Sequence, residues 1–211
     1  MKETETGPGF LRRHWSDTLL AVAALFVSAV SLWVGIRTEE ANEAMVAAST
    51  RPFMQIGIDN STPEGVPYLK FNAINAGVGP ATIRSFEVFY KGRPYHSGPQ
   101  LLRDCCGLQT HGGPVRPLTD KNTRLLTGTV QGMVVRAGEQ ESFIMYPLHD
   151  DNVAVWNALN AARPQITYRI CYCSVLNECW LANLQGDLAA PGQLNPARVK
   201  ECPIPPVAYT K

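Results

Sequence analysis

The chain has 211 residues and is 45% hydrophobic and 18% charged, with 19 basic against 18 acidic residues. This composition excludes a disordered chain, which has few apolar residues and a large net charge. A formal net charge of +1 also lacks the basic excess that is typical of a nucleic-acid-binding protein.

The first predicted element is an apolar segment near the N-terminus. Residues 18–36 contain no charged side chain. As a helix they span roughly 28 Å, close to the thickness of the hydrocarbon core of a bilayer. Trp15 and Trp33 lie near the two ends, where membrane proteins place aromatic side chains. We therefore predict a transmembrane helix at 18–36, after a cytoplasmic segment at 1–17.

Two other interpretations of this segment are weaker. A cleaved signal peptide has a shorter apolar region followed by a small-x-small cleavage site, whereas residues 35–40 read GIRTEE. A helix buried in a soluble protein has a polar face, whereas Ser28 and Ser31 are the polar residues within 19–36. The sequence favours an uncleaved signal anchor.

The basic residues around the helix predict its orientation. Arg12 and Arg13 precede the apolar segment, while Arg37 is followed by three glutamates before residue 44. Cytoplasmic flanks of membrane helices are enriched in Lys and Arg. We therefore expect a single-pass protein of the inner membrane whose C-terminal domain lies in the periplasm.

Small side chains recur along the predicted membrane helix at intervals of three and four residues. Such a stripe lets two helix backbones approach closely in lipid. It predicts self-association or packing against another membrane protein, with a lipid-facing anchor as the alternative. The stripe consists of Ala21, Ala24, Ser28, Ser31 and Gly35.

Residues 37–51 are rich in Ala and Glu and predict a helical stalk, which Pro52 ends. From residue 53 the pattern changes to the alternation of β-strands, which marks a domain at 52–185. The strands are predicted at 53–58, 68–74, 81–90, 125–135, 142–146, 166–173 and 179–184.

Two short helices interrupt these strands, at 99–105 and 150–162. Asp150 or Asp151 is expected to supply the N-cap of the second helix. Residues 186–211 contain five prolines and predict an extended tail. This series of strands and turns predicts a mainly β protein, an antiparallel β-sandwich with two short helices.

One turn carries a resemblance to known proteins. Residues 75–81 read NAGVGPA, and an Arg-Pro-Phe sequence at 51–53 precedes the first strand. The chain resembles a group of uncharacterised bacterial single-pass membrane proteins that have an immunoglobulin-like β-sandwich and an Asn-x-Gly-x-Gly-Pro-Ala turn. The resemblance implies this fold and topology, and no catalytic residue. From the sequence alone, Gly77 and Gly79 are expected to supply positive φ at a corner, with Pro80 as part of the same structural turn.

All six cysteines follow the membrane segment. An even number in a domain predicted outside the cytoplasm favours disulfides. A hairpin would place Cys179 opposite Cys171 or Cys173, and the adjacent Cys105 and Cys106 are each expected to bond a distant partner. The candidates are Cys105, Cys106, Cys171, Cys173, Cys179 and Cys202.

Metal binding and thiol catalysis are alternative functions for the hairpin at 171–179. Zinc could be bound by its three cysteines with His149 or Cys202 as fourth ligand, although this spacing is not that of a zinc knuckle. Thiol catalysis usually uses a Cys-x-x-Cys pair at a helix start, which this hairpin lacks.

The sequence therefore predicts a non-enzymatic, membrane-anchored binding module with no cofactor and no catalytic residue, which works with another membrane or envelope protein. The alternatives are a thiol- or metal-dependent envelope enzyme and a sensor domain that faces the cytoplasm.

Overall fold

A computed structural model describes residues 9–108, 125–185 and 196–210, and the side chains of these residues except those at 9–14 and 16. The chain divides into two compact units, Met1–Ala48 and Ser49–Lys211.

The first unit is built on one long helix, α1 (Gly9–Ser49), of 41 residues. It is long and apolar enough to cross a membrane, with a mean hydropathy of 2.4 in its most apolar window. The predicted stalk is the C-terminal part of this same helix. The Ser28 hydroxyl donates a hydrogen bond to the Ala24 carbonyl at 2.8 Å. This contact satisfies a polar group that lipid could not solvate.

The second unit contains two antiparallel sheets. In the first sheet the strand order is β1-β2-β7-β5. In the second the order is β10-β9-β8-β3-β4, and β6 also pairs with β3. The strands of the first sheet are β1 (Met54–Ser61), β2 (Pro67–Asn75), β5 (Leu126–Thr127) and β7 (Gln140–Pro147). Those of the second are β3 (Ala81–Tyr90), β4 (Arg93–Tyr95), β6 (Val134–Val135), β8 (Ile166–Cys173), β9 (Cys179–Gln185) and β10 (Ala197–Val199).

Aromatic side chains from both sheets meet in one hydrophobic core. Phe143 on β7 lies 4.9 Å from Phe86 on β3 and 5.6 Å from Tyr168 on β8, measured between ring centroids, in edge-to-face contacts. All three are buried. Edge-to-face packing of buried rings adds to the stabilisation from the removal of apolar surface from water.

The strand predicted at 125–135 is wrong. The structure has two strands of two residues there, β5 and β6, in different sheets. Two glycines explain the break. A Cβ on Gly128 would lie 2.7 Å from the Ser142 carbonyl oxygen, and Gly132 adopts a φ of +83°. The chain therefore leaves one sheet at Gly128 and turns at Gly132 before it reaches the other.

Strand β4 is absent from the predicted strands, and it forms a hairpin with β3. Lys91 and Gly92 have φ values of +50° and +77°. Positive φ at both central residues matches the right-handed twist of paired strands. Arg93 and Pro94 therefore belong to a short strand.

The two short helices are α2 (Gly98–Cys106) and α3 (Val153–Ala162). The predicted N-cap of the second is wrong, because Asn152 occupies that position. The Asn152 side chain accepts a hydrogen bond from the His149 N–H and donates one to the Pro147 carbonyl, both at 2.9 Å. These bonds tie the start of α3 to the end of β7.

The C-terminal residues do more than extend over the surface. After β10, Tyr209 returns to the core and is fully buried. Its backbone N–H donates to the Phe86 carbonyl at 3.0 Å, and its hydroxyl donates to the Phe143 carbonyl at 3.3 Å. The end of the predicted extended tail thus joins the two sheets.

Candidate functional site

Four of the six cysteines lie together on the outer face of the second sheet. Strand β8 directs Tyr168, Ile170 and Tyr172 into the core. Side chains alternate along a strand, so Cys171 and Cys173 lie on the opposite face. Cys179 lies directly opposite Cys173 in the register of β8 and β9. Because β10 pairs with β9, it brings the following segment and Cys202 to the same place.

These four residues form two disulfides, Cys171–Cys202 and Cys173–Cys179. Sequence reasoning left Cys171 and Cys173 as alternative partners of Cys179. The structure selects Cys173, whose Cα lies 4.0 Å from that of Cys179. The Cys202 pairing could not be read from local spacing, because it depends on the course of the chain after β9.

The two disulfides are in contact. The Cys173 and Cys202 sulfur atoms, which belong to different bonds, lie 3.9 Å apart. The sulfurs of Cys173, Cys179 and Cys202 all lie within 4.8 Å of one another. Such a group could ligate a metal ion if its thiols were reduced and ionised. It includes Cys202, which was one of the two expected fourth ligands, whereas His149 lies apart from it, ahead of α3.

An open groove of about 390 Å³ borders this cysteine cluster. Two cations, Arg84 and Lys200, line it together with Glu201. The segment 203–205, Pro-Ile-Pro, forms another part of its wall, and the Ile204 side chain is 94% exposed. The groove therefore combines positive charge, disulfide sulfur and exposed apolar surface.

The expectation that Cys105 and Cys106 each bond a distant partner is wrong. The structure joins these two neighbours to each other at the end of α2, with Cα atoms 3.8 Å apart. The other four cysteines are bonded among themselves on the outer face of the second sheet. No distant partner is therefore left for either residue.

A half-buried ion pair lies on the same outer face and was not anticipated from the sequence. Glu87 on β3 is 2% exposed and faces Arg169 on β8 in the strand register. The Arg169 Nη2 donates to Glu87 Oε1 at 2.7 Å, and a second bond joins Nε to Oε2. Hydrogen bonding to this carboxylate raises the pKa of the Arg169 guanidinium. The bidentate geometry compensates the desolvation of the Glu87 carboxylate.

The Asn75-to-Ala81 turn holds the start of the domain. Asn75 is fully buried, and its amide group makes four hydrogen bonds. Its Nδ2 donates to the carbonyls of Gly79 at 2.8 Å and Val135 at 3.0 Å. Its Oδ1 accepts from the N–H groups of Phe53 at 3.1 Å and Gly77 at 3.0 Å. One side chain thus joins the entry to β1, the turn and β6.

Gly77 and Gly79 have a structural role, but the expectation that they supply positive φ is wrong. Neither adopts positive φ. A Cβ on Gly77 would lie 2.6 Å from the Arg51 carbonyl oxygen, and one on Gly79 would clash with the backbone of Thr50. Glycine is needed because the segment at 50–53 packs against the turn. The Arg51 carbonyl also accepts a hydrogen bond from the Val78 N–H at 3.1 Å.

The structure leaves the small residues of α1 on the helix surface. Ala21, Ala24, Ser28, Ser31 and Gly35 are all exposed in the single chain. A Cβ added to Gly35 would meet no atom within 4 Å. This surface is therefore sterically open to another helix.

Comparison of the chain with protein-family models and with curated proteins gives no match.

Proposed function

We propose that the protein is a single-pass, membrane-anchored binding module whose β-domain is displayed outside the cytoplasm. The domain would have an immunoglobulin-like β-sandwich arrangement, and its partner would be another membrane or envelope protein. The observation that carries this proposal is the open groove beside the paired cysteines, with the 94% exposed Ile204 on its wall.

The anchor is supported by α1. Its apolar residues are exposed in the single chain, including Leu25, Phe26 and Leu32. An exposed apolar surface of this length is stable in a bilayer and costly in water. Arg12 and Arg13 before it favour a cytoplasmic N-terminus in the inner membrane.

The extracytoplasmic location is supported by the cysteines. All six are paired, and all belong to the domain that follows the anchor. Disulfides persist in oxidising compartments and are rare where glutathione and thioredoxin keep thiols reduced. The same pairing argues against a sensor domain that faces the cytoplasm.

The binding role is supported by the surface around the groove. Val175 and Leu176 are 59% and 47% exposed and lie in the same turn as Asn177, which lines the groove. Ile204 lies on the wall of the groove, which Arg84 and Lys200 also line. Protein interfaces commonly combine exposed apolar anchors with a polar and charged rim.

Reporter fusions test the location. A reporter that is active only in the periplasm, fused after Lys211, should be active, and one that requires the cytoplasm should be inactive. The protein should also stay in the membrane after carbonate extraction. A mature N-terminus anywhere between residues 28 and 50 would contradict the anchor.

Crosslinked partners from detergent-solubilised membranes test the binding role. The wild-type protein should capture a partner that Ile204→Asp loses. Val66→Asp is the matched control, because Val66 is also exposed but lies in the β1–β2 turn. A partner retained equally by both variants would show that the groove is not the binding surface.

A further inference from the structure

We propose that the cysteine cluster is a thiol–disulfide exchange site, in which Cys173 passes from Cys179 to Cys202. An external dithiol would open Cys173–Cys179, and the freed Cys173 thiolate would then displace Cys171 from Cys202. This goes beyond a binding role, because it assigns a reaction to the cluster.

The contact between the two bonds carries this inference. The Cys173 sulfur lies 3.9 Å from the Cys202 sulfur, at van der Waals range, while each belongs to a different disulfide. Exchange proceeds by attack of a thiolate on a disulfide sulfur. A thiolate formed at Cys173 would therefore begin in contact with its target sulfur.

Accessibility leaves two points of attack. Cys179 and Cys202 both line the groove, and Cys202 is half-buried while Cys179 is 7% exposed and Cys171 is fully buried. Attack at Cys179 releases Cys173 beside Cys202, whereas attack at Cys202 would release Cys171 and leave Cys173–Cys179 intact, so the two routes give different two-electron products. Arg84 and Lys200 line the same groove, and nearby positive charge favours the thiolate that attacks.

The steps balance as a two-electron reduction. One sulfur of the dithiol bonds Cys179 and expels Cys173 as a thiolate. The Cys173 thiolate bonds Cys202, and Cys171 leaves and takes up a proton. The second sulfur of the dithiol then displaces Cys179, which leaves as a thiol, and the dithiol becomes a disulfide. Two electrons and two protons have moved to Cys171 and Cys179, and the protein retains one bond, Cys173–Cys202.

The exchange leaves the C-terminal segment attached. Cys202 is bonded to β8 before and after, first at Cys171 and then at Cys173. Positions two apart on a strand are roughly 6.5–7 Å from each other. The segment at 202–205, which forms part of the groove wall, would therefore move along β8 while remaining covalently held. The redox state would alter the shape of the groove.

Substitution of single cysteines tests the exchange in the full-length protein in membranes. In Cys179→Ser the Cys173 thiol is left beside Cys202. We expect a Cys173–Cys202 bond with Cys171 free, in an amount within about tenfold of the Cys171–Cys202 form. Alkylation followed by non-reducing chymotryptic mapping distinguishes them, because Tyr172 separates Cys171 from Cys173. Cys173→Ser is the control, in which this bond cannot form.

Limited reduction of the wild-type protein with dithiothreitol provides the second measurement, which does not depend on the folding of a variant. Quenched two-electron species should carry alkyl groups on Cys171 and Cys179 and a Cys173–Cys202 bond. Two results together would overturn the proposal. The two-electron species of the wild-type protein would contain only native pairs, and Cys179→Ser would contain an alkylated Cys173 and an intact Cys171–Cys202 bond.

Discussion

At the scale of single residues, Asn75 and Gly77 show why a short turn motif can be essential without binding a ligand. The Asn75 amide joins three parts of the chain through four hydrogen bonds. Gly77 provides the space in which the Arg51 backbone lies. The turn could be predicted from its glycines and Pro80, but the contacts that require glycine there could not. The partners at Arg51 and Val135 come from distant segments, and no local pattern specifies them.

Substitution of Gly77 by Ala should destabilise the domain. The added Cβ would lie 2.6 Å from the Arg51 carbonyl oxygen, which is backbone and cannot rotate away. We expect a loss at or above the about 1–3 kcal/mol that is typical of overpacking, measured as a lower denaturation midpoint.

Gly57→Ala is the matched control for that variant. Its Cβ would meet the end of the Ile74 side chain, which can change rotamer. Equal stability losses in the two variants would contradict the role assigned to backbone contact at Gly77.

Asn75→Asp should also destabilise the domain, although the two side chains have nearly the same shape. It removes the donors to the Gly79 and Val135 carbonyls and buries a carboxylate against them. Each buried group left without a partner costs about 1–3 kcal/mol. Asn183→Asp on the exposed part of β9 should change the thermal midpoint little. A small effect at Asn75 would show that water replaces these bonds.

At the scale of elements, local patterns predicted the long ones well. Strand β3 has the expected bounds, and α1 includes residues 18–36 and the predicted stalk as far as Ser49, two residues before its expected end. Strands β5 and β6, of two residues each, exist because longer strands offer them partners. Tertiary pairing, rather than propensity, determines such short elements. The same holds for β10, which positions Cys202 through its pairing with β9.

The surface of α1 supports a prediction about association in the membrane. In lipid, helices attract each other through close backbone approach and dispersion rather than through the hydrophobic effect. Combined Ser28→Leu and Gly35→Leu substitutions should therefore weaken crosslinking of the full-length protein to itself or to another helix. We expect a loss of about 1 kcal/mol, or roughly fivefold in the association constant.

Val27→Leu serves as the control, because Val27 lies outside the stripe. A Cβ added at Gly35 meets no side chain within 4 Å, so Gly35→Leu should leave the helix itself intact. The stalk should contribute little, since the Arg37–Glu40 pair is exposed and such pairs add at most about 1 kcal/mol. Equal crosslinking of both variants would indicate an anchor that faces only lipid.

At the scale of the whole molecule, the C-terminal segment completes the core. Tyr209 packs edge-to-face on Phe86 and Phe143, with ring centroids 5.8 and 6.0 Å away. The proline-rich composition of the tail predicted an extended course, and the single aromatic residue near its end gave no sign of burial. Its position follows from a gap on the edge of β3 between the parts that pair with β6 and β4. Only the assembled sheets define that gap.

Replacement of Tyr209 by Ala should therefore lower the free energy of unfolding of the domain. Truncation of a buried aromatic ring typically costs about 3–5 kcal/mol through lost burial and the cavity that remains. Urea denaturation measures the loss, with Thr210→Ala, at an exposed neighbour, as the control. A loss below about 1 kcal/mol would mean that the ring contributes little to the core.

The buried phenol of Tyr209 also predicts how stability depends on alkaline pH. Burial raises the pKa of Tyr209, and also that of Tyr168, far above the usual value near 10. Both hydroxyls stay protonated in the folded domain but ionise in the unfolded chain above pH 10. The folded state then binds more protons than the unfolded state, so stability is complete below pH 10 and falls as the pH rises. Each phenol contributes up to about 1.4 kcal/mol per pH unit.

Tyr209→Phe retains the ring and removes one phenol, so its urea midpoint should fall less steeply above pH 10 than that of the wild-type protein. Parallel pH profiles would show that Tyr209 ionises equally in both states and that its hydroxyl is accessible to water.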